Sequence, residues 1–210
     1  MDITERLTEV FKEFPGIGER QAKRFVYFLM HKNPAYAENL CKLISELKKD
    51  VAQCKECFRF FVKTKNESVC DICSDPHIDA SVLMIVEKDS DLESIRKSRV
   101  YQGKYFILGG LVPIVEKNTK SRVRIEELKK KIASEARPSE LGLASLQEII
   151  LAFSISPQGD HTDQYVREQL KELTEKLGTK ISSLGKGLST GTELEYSDND
   201  TLKNALKNRQ

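Results

Sequence analysis

Four cysteines in a paired spacing place the strongest constraint on this chain. The first pair is Cys54 and Cys57, the second is Cys70 and Cys73, and twelve residues separate the pairs. Two thiolates with two residues between them hold one tetrahedral ion from a tight turn, and a second such pair completes a closed four-sulfur site. Because four sulfurs leave no position open for water, the pattern predicts a single structural zinc ion.

Two alternatives stay open from the spacing alone: four reduced cysteines without metal, or cysteines paired in disulfides. Zinc is favoured because the spacing is regular and because the cytosol keeps thiols reduced. Cys41 lies outside the pattern in a helical stretch, and we expect it to be a small buried apolar residue.

Length and composition exclude several classes of protein. With 210 residues, 39% of them hydrophobic and 31% charged, the chain can bury a core without disulfides. Its apolar runs, such as 81–86 and 148–153, are far shorter than the roughly 20 residues of a membrane span. The charged start, MDITERLTEV, is unlike a secretory signal. We therefore expect a cytoplasmic protein, and not a membrane protein, a secreted disulfide scaffold or a disordered polymer.

A glycine hairpin near the amino terminus is the second informative feature. Residues 15–18, PGIG, separate two stretches with helical spacing of apolar residues. Glycines expose backbone N–H groups, and the start of the next helix adds its positive dipole end. Such a helix-hairpin-helix motif binds a nucleic-acid backbone without reading bases; the alternative is an ordinary turn with solvated arginines. The predicted DNA contacts are Gly16, Gly18, Arg20, Lys23 and Arg24.

The remainder of the chain predicts an α/β fold. Strands at 81–86, 105–108, 148–153 and 180–183 are interspersed with helices at 125–136 and 163–177, which indicates a mostly parallel sheet between helices.

The charge of the chain gives only weak evidence for a nucleic-acid partner. A net charge of +2 is too small to argue for nucleic acid by itself. Residues 116–131 hold seven basic and three acidic side chains, and this stretch either lines a DNA channel or forms a solvated helix face.

Taken in order, these features resemble the RecR family of bacterial recombination mediators. The α/β domain begins with IVE at 85–87, and residues 101–110, YQGKYFILGG, are similar to the family segment Y-x-G-x-Y-x-x-L-G-G. Residues 191–206 are similar to its signature G-x-x-L-E-Y-x-D-x-x-T-L-x-x-A-L. The resemblance implies a helix-hairpin-helix domain at 1–52, a C4 zinc finger at 53–77, a Toprim domain at 78–184 and a Walker-B-like tail at 185–210.

The resemblance also implies a function. Proteins of this family bind single- and double-stranded DNA without sequence preference and assemble as dimers or tetrameric rings that clamp DNA. They act with RecO, and with RecF, to load RecA onto single-stranded DNA, and they catalyse no reaction themselves. We therefore expect a non-enzymatic mediator of recombinational repair that works at the nucleoid. The alternative without a DNA role is a scaffold protein whose fold is stabilised by zinc.

The acidic residues of the expected Toprim domain indicate whether it could hold magnesium. Catalytic Toprim proteins hold magnesium with a glutamate after the first strand and a later acidic pair, and Glu87 matches the first of these. Residues 158–160 read QGD where the family commonly has EGE, so an amide replaces one carboxylate. The resemblance instead assigns Glu87 and Asp160 to contacts with RecO, and the alternative for both is that they orient local structure. The alternative is a magnesium-dependent Toprim nuclease or primase-like enzyme. ATP hydrolysis is not expected, because the sequence contains no P-loop.

Overall fold

Three helices form the amino-terminal unit of the computed structural model. The structure describes residues 1–64, 67–115, 123–135, 146–185, 191, 195, 197 and 199–207, and the chain divides into two units, 1–51 and 52–210. In the first unit, helices α1 (Ile3–Lys12) and α2 (Glu19–Met30) flank the glycine hairpin, and α3 (Pro34–Asp50) follows. The predicted helix, hairpin and helix are therefore present.

The starts of these helices follow from local sequence. Asp2 forms a capping box with Glu5, because the Asp2 carboxylate accepts from the Glu5 backbone N–H at 2.9 Å and the Glu5 carboxylate accepts from the Asp2 N–H at 2.9 Å. Asn33 caps α3 by accepting from the Tyr36 N–H at 2.9 Å, and Pro34 occupies the first helical position.

Helix α3 leaves its apolar residues uncovered. The structure describes every residue of α3, and none of them is buried. Cys41 is exposed, so the prediction of a buried Cys41 was wrong. Helical spacing predicted an apolar face, and helical spacing alone does not tell whether anything packs against that face.

A four-stranded parallel sheet organises the second unit, as the alternation of strands and helices predicted. Its strands are β3 (Asp79–Val86), β4 (Gly103–Ile107), β5 (Glu148–Ala152) and β6 (Lys180–Ser183), in the spatial order β4-β3-β5-β6. Strand β3 is central and pairs with both neighbours, so that Ile85 lies beside Phe106 on one side and Leu151 on the other. Strand β4 is an edge strand.

Side chains of β3 alternate between two cores. Leu83 and Ile85 pack with residues of α6 (Ile125–Glu135) and α7 (Pro157–Leu177), including Leu128 and Val166. On the other face, the cluster holds Met84 and Val86, Leu92 of α5 (Asp89–Ser98) and three of the paired cysteines. The two cores place helices on both faces of the sheet.

The remaining elements are short or terminal. Strands β1 (Val51–Gln53) and β2 (Phe60–Val62) pair with each other around the first cysteine pair, and α4 (Asp71–Ser74) begins in the second. Helix α8 (Asn199–Lys207) lies in the Walker-B-like tail, of which residues 186–190, 192–194, 196, 198 and 208–210 fall outside the described residues. No helix in the described ranges combines the length and apolar character needed to cross a bilayer.

Helix α7 begins six residues before its predicted start near 163. Ser156 caps it by accepting from the Gly159 N–H at 3.0 Å, and Pro157 occupies its first turn. Residues 158–160 therefore lie in a helical turn, although a Pro-Gln-Gly-Asp run has the composition of a loop.

Candidate metal centre and nucleic-acid interface

The four paired cysteines converge on one point. Their Sγ atoms all lie within 4.8 Å of one another. Cys54, Cys57 and Cys70 are fully buried, and Cys73 is half-buried. All five cysteines of the chain are free thiols in the structure. Four sulfurs at this separation fit a tetrahedral metal ion, and both halves of the predicted site are brought together.

Hydrogen bonds within the cluster shift the pKa values of its thiols in opposite directions. The bond from Cys57 lowers the pKa of the Cys54 thiol, and bonding with Cys54 raises the pKa of the Cys73 thiol. A bound divalent ion requires thiolates, so metal binding releases protons and becomes stronger as pH rises.

The cysteine module, defined here as residues 52–75, covers the edge strand β4. The Ile107 N–H donates to the Cys57 carbonyl at 2.9 Å, and the Phe58 ring packs edge-on against Phe106 with 5.4 Å between ring centroids. Phe58 takes a left-handed backbone conformation with φ 64°. An uncovered edge strand is a template for unwanted pairing, and the module provides the cover.

An acidic residue lies inside the second cysteine pair and ties it to α5. Asp71 accepts from Arg96 of α5 at 2.6 Å and from Arg59 at 3.1 Å. Arg59 is buried and also reaches Glu93 of α5 at 3.5 Å. The Phe60 N–H donates to the Asp89 carboxylate at 2.7 Å. Asp89, a conspicuous acid after β3, thus has a structural partner in the cysteine module.

The glycine hairpin presents an open backbone at the start of α2. Gly16 has φ +76°, which favours glycine, and Gly18 is the N-cap of α2 without a side-chain capping bond. A Cβ atom at either glycine would meet nothing within 4 Å. Neither glycine therefore has another group packed against the side of its Cα atom where a side chain would lie.

All three predicted basic contacts are exposed, but they differ in their partners. Arg20 and Arg24 are one turn apart on α2. The Lys23 ammonium forms an ion pair with Glu19 at 2.6 Å, and this hydrogen bond raises the pKa of Lys23 and lowers that of Glu19. Glu19 was overlooked at the sequence level, although its spacing from Lys23 is the usual i,i+4 signal for a helical ion pair.

The Toprim acids lie at the carboxyl edge of the sheet. Glu87 follows β3, and Asp160 lies in the first turn of α7 after the adjacent strand β5. Glu87 approaches the Lys88 ammonium at 3.9 Å. Within the described part of the chain, the four cysteines are the only grouping of three or more metal-binding side chains. Among those residues, then, no carboxylate cluster for magnesium is assembled at this edge.

The basic stretch at 116–131 is not a uniform solvated face. Residues 116–122 lie outside the described residues. Lys131 is buried, so this lysine belongs neither to a solvated helix face nor to the lining of a channel. The Arg124 guanidinium lies 5.3 Å from the centroid of the Phe58 ring, and its Nη1 donates to the Ile107 carbonyl at 3.1 Å. Helical periodicity alone did not indicate which of these cations face inward.

Comparisons with known proteins agree with this architecture. A family model for the Toprim domain matches residues 81–184, and a model described as RecR, C-terminal, matches residues 187–210.

Several relatives extend the similarity to the whole chain, and each is named Recombination protein RecR. The one from Amoebophilus asiaticus is 34% identical over 207 residues, covering 99% of this chain and 94% of the relative. The one from Bacteroides thetaiotaomicron is 32% identical, covering 99% and 93%. The one from Legionella pneumophila strain Corby is 31% identical over 209 residues, covering 100% and 98%. The chain therefore belongs to the RecR family of recombination proteins.

Proposed function

We propose that this chain is a DNA-binding mediator of recombinational repair that catalyses no reaction itself. The observation that carries the proposal is the open hairpin at Gly16 and Gly18, followed by the exposed pair Arg20 and Arg24, in a chain of the RecR family. Backbone N–H groups and guanidinium groups bind phosphate oxygens irrespective of base sequence. Single- and double-stranded DNA are the expected ligands, on the chromosome.

The proposed mediator is a dimer or tetrameric ring. On α3, the side chains of Leu43, Ile44 and Leu47 are 53%, 55% and 61% exposed. An apolar face of this kind favours association with another protein surface, and a second copy of the chain supplies one. Several hairpins facing one channel would multiply individually weak phosphate contacts, which is why a net charge of only +2 suffices.

The proposed partners are RecO and, additionally, RecF, with loading of RecA onto single-stranded DNA as the outcome. Glu87 and Asp160 are proposed as contacts for RecO. Their position at the carboxyl edge of the sheet supports this role, because ligands of open α/β sheets bind at that edge. Gln158 supplies an amide where a magnesium site needs a carboxylate, which argues against the alternative of a Toprim nuclease or primase-like enzyme.

The proposed cofactor is one structural zinc ion per chain, held by Cys54, Cys57, Cys70 and Cys73. The four-sulfur donor set supports zinc, and a tetrahedral site filled by four protein ligands supports a structural role. When bound, the ion supplies a cross-link between the two cysteine pairs. It takes part in no chemical step.

The test of DNA binding is the double variant Arg20→Ala/Arg24→Ala. Fluorescence anisotropy with single- and double-stranded oligonucleotides at low salt is expected to show at least about tenfold weaker binding to both, because phosphate contacts are lost whatever the sequence. The matched control is Lys171→Ala/Lys176→Ala, which removes two exposed lysines from α7 and leaves the affinity close to that of the unaltered protein. Unchanged affinity in the arginine variant would remove the hairpin from the proposal.

A further inference from the structure

A buried lysine lies beside the cysteine module. Lys131 belongs to α6, and its side chain is only 5% exposed. Removing an ammonium group from water is costly unless opposite charges and hydrogen bonds replace the lost hydration. The partners of Lys131 therefore indicate why a lysine occupies this position.

Two carboxylates face the Lys131 ammonium from different elements. Glu135, one turn further along α6, accepts at 2.9 Å. Glu56 approaches at 3.4 Å and lies between Cys54 and Cys57 in the first cysteine pair. Glu135 also accepts from Lys104 of β4 at 2.8 Å. The network thus connects α6 and the edge strand to the turn that carries half of the four-sulfur cluster.

Two carboxylates keep Lys131 charged. Burial lowers the pKa of Lys131, but the attraction and hydrogen bond of Glu135 and the attraction of Glu56 outweigh it, and the pKa lies above its ordinary value. The ammonium therefore keeps its charge although it is buried, and it holds both carboxylates in place.

We propose that Lys131 is a positioning residue for the metal centre: through Glu56, its ammonium holds the first cysteine pair against α6. The inference rests on the proposed zinc ion. On the opposite face of the sheet, the matching contact is that of Asp71, inside the second cysteine pair, with Arg96 of α5. Each cysteine pair thus encloses one acid that is bound by a cation from a helix of the sheet domain.

A purely structural role for Lys131 makes a different prediction. In that case the lysine serves only to neutralise Glu135, whose side chain is 10% exposed. Lys131 then has no direct effect on the zinc affinity. Lys131→Met would then weaken zinc binding only because it leaves the buried Glu135 carboxylate with one cation, Lys104, in place of two. The double variant Lys131→Met/Glu135→Gln removes both charges together and separates the two roles.

The experiment measures zinc affinity in the full-length protein by equilibrium competition with a chromophoric chelator, with circular dichroism as the check on folding. Lys131→Met and Lys131→Met/Glu135→Gln are both expected to bind zinc about ten- to a hundredfold more weakly, the usual effect of losing a group that supports metal ligands. Lys131→Arg, which keeps the charge, is expected to recover most of the affinity. The control Lys130→Met changes the exposed neighbour on α6 and leaves the affinity unaltered.

The outcomes are distinguishable. Unaltered zinc affinity in Lys131→Met/Glu135→Gln would overturn the role of Lys131, and so would an equal loss in the Lys130→Met control. If Lys131→Met does not fold, the double variant alone decides. If the unaltered protein binds no zinc, the proposed cofactor itself fails, and that result is separate from any difference between variants.

Discussion

At the scale of single residues, the hairpin proposed to bind DNA carries both cations and a carboxylate. Arg20 and Arg24 are exposed on α2, whereas Lys23 is held by Glu19 at 2.6 Å. Glu19 is the first residue of α2, where a carboxylate is favourable for the helix dipole. The same carboxylate lies beside the N–H groups and guanidinium groups proposed to bind DNA. Helix stability and DNA affinity therefore make opposite demands on this position.

We predict that Glu19→Gln strengthens DNA binding. The substitution removes a negative charge from the hairpin and frees the Lys23 ammonium, so affinity at low salt is expected to rise about threefold and the gain to shrink at high salt, as for any exposed pair. Glu38→Gln, on exposed α3, changes the net charge equally and is the control. An equal gain in both variants would assign the effect to net charge, and no gain in Glu19→Gln would remove Lys23 from the interface.

At the scale of elements, the cysteine module and the edge strand form one structural unit. The bond from the Ile107 N–H to the Cys57 carbonyl and the packing of Phe58 on Phe106 depend on the shape of the first cysteine pair. A module of this small size depends on its metal for that shape. The metal is therefore expected to govern the local stability of β4, although no cysteine belongs to that strand.

Metal removal is predicted to act first on this edge. After chelation, hydrogen exchange of the Ile107 amide is expected to accelerate by at least about tenfold, because its acceptor is lost with the module. Amides of Leu83 and Ile85 in central β3 are expected to change much less, since both neighbouring strands remain. Equal protection of Ile107 with and without metal would show that the module keeps its fold unaided.

Helix α7 depends on a glycine close to the Toprim acids. A Cβ atom at Gly159 would lie 1.9 Å from the Ser154 carbonyl oxygen, so the strand end and the helix start meet only if this residue has no side chain. We predict that Gly159→Ala lowers the free energy of unfolding in urea by about 2 kcal/mol. Gly185→Ala is the control, because nothing lies within 4 Å of its Cβ position. Equal stability of the two variants would contradict the close packing of Gly159 against the Ser154 carbonyl.

Local signals in the sequence predicted much of this organisation, and they failed where packing decides. Cysteine spacing and the glycine hairpin are short-range patterns, so the sulfur cluster and the first two helices were found. The start of α7 was missed because Pro157 and Gly159 resemble a loop, and Cys41 was misplaced because helical spacing does not tell which residues of a helix are covered. The burial of Lys131 depends on Glu56, 75 positions away, and no local pattern reports such a partner.

At the scale of the whole molecule, the proposed DNA clamp requires several chains to associate. A net charge of +2 gives one copy little general attraction for DNA. The exposed apolar side chains of α3 are available for assembly, and a closed ring retains DNA by topology even when each hairpin binds weakly. The time that the protein stays on DNA would then depend on whether the DNA has free ends, and not only on the affinity of each hairpin.

The most direct measurement compares retention on closed circular and linear DNA of identical sequence after a jump to high salt. The account predicts that protein stays on the circle and is lost from the linear form, because a clamp whose phosphate contacts are screened slides off a free end. Linearising the circle with a nuclease after the jump should release the retained protein. Equal loss from both forms, or equal retention on both, would contradict a clamp built from several hairpins around DNA.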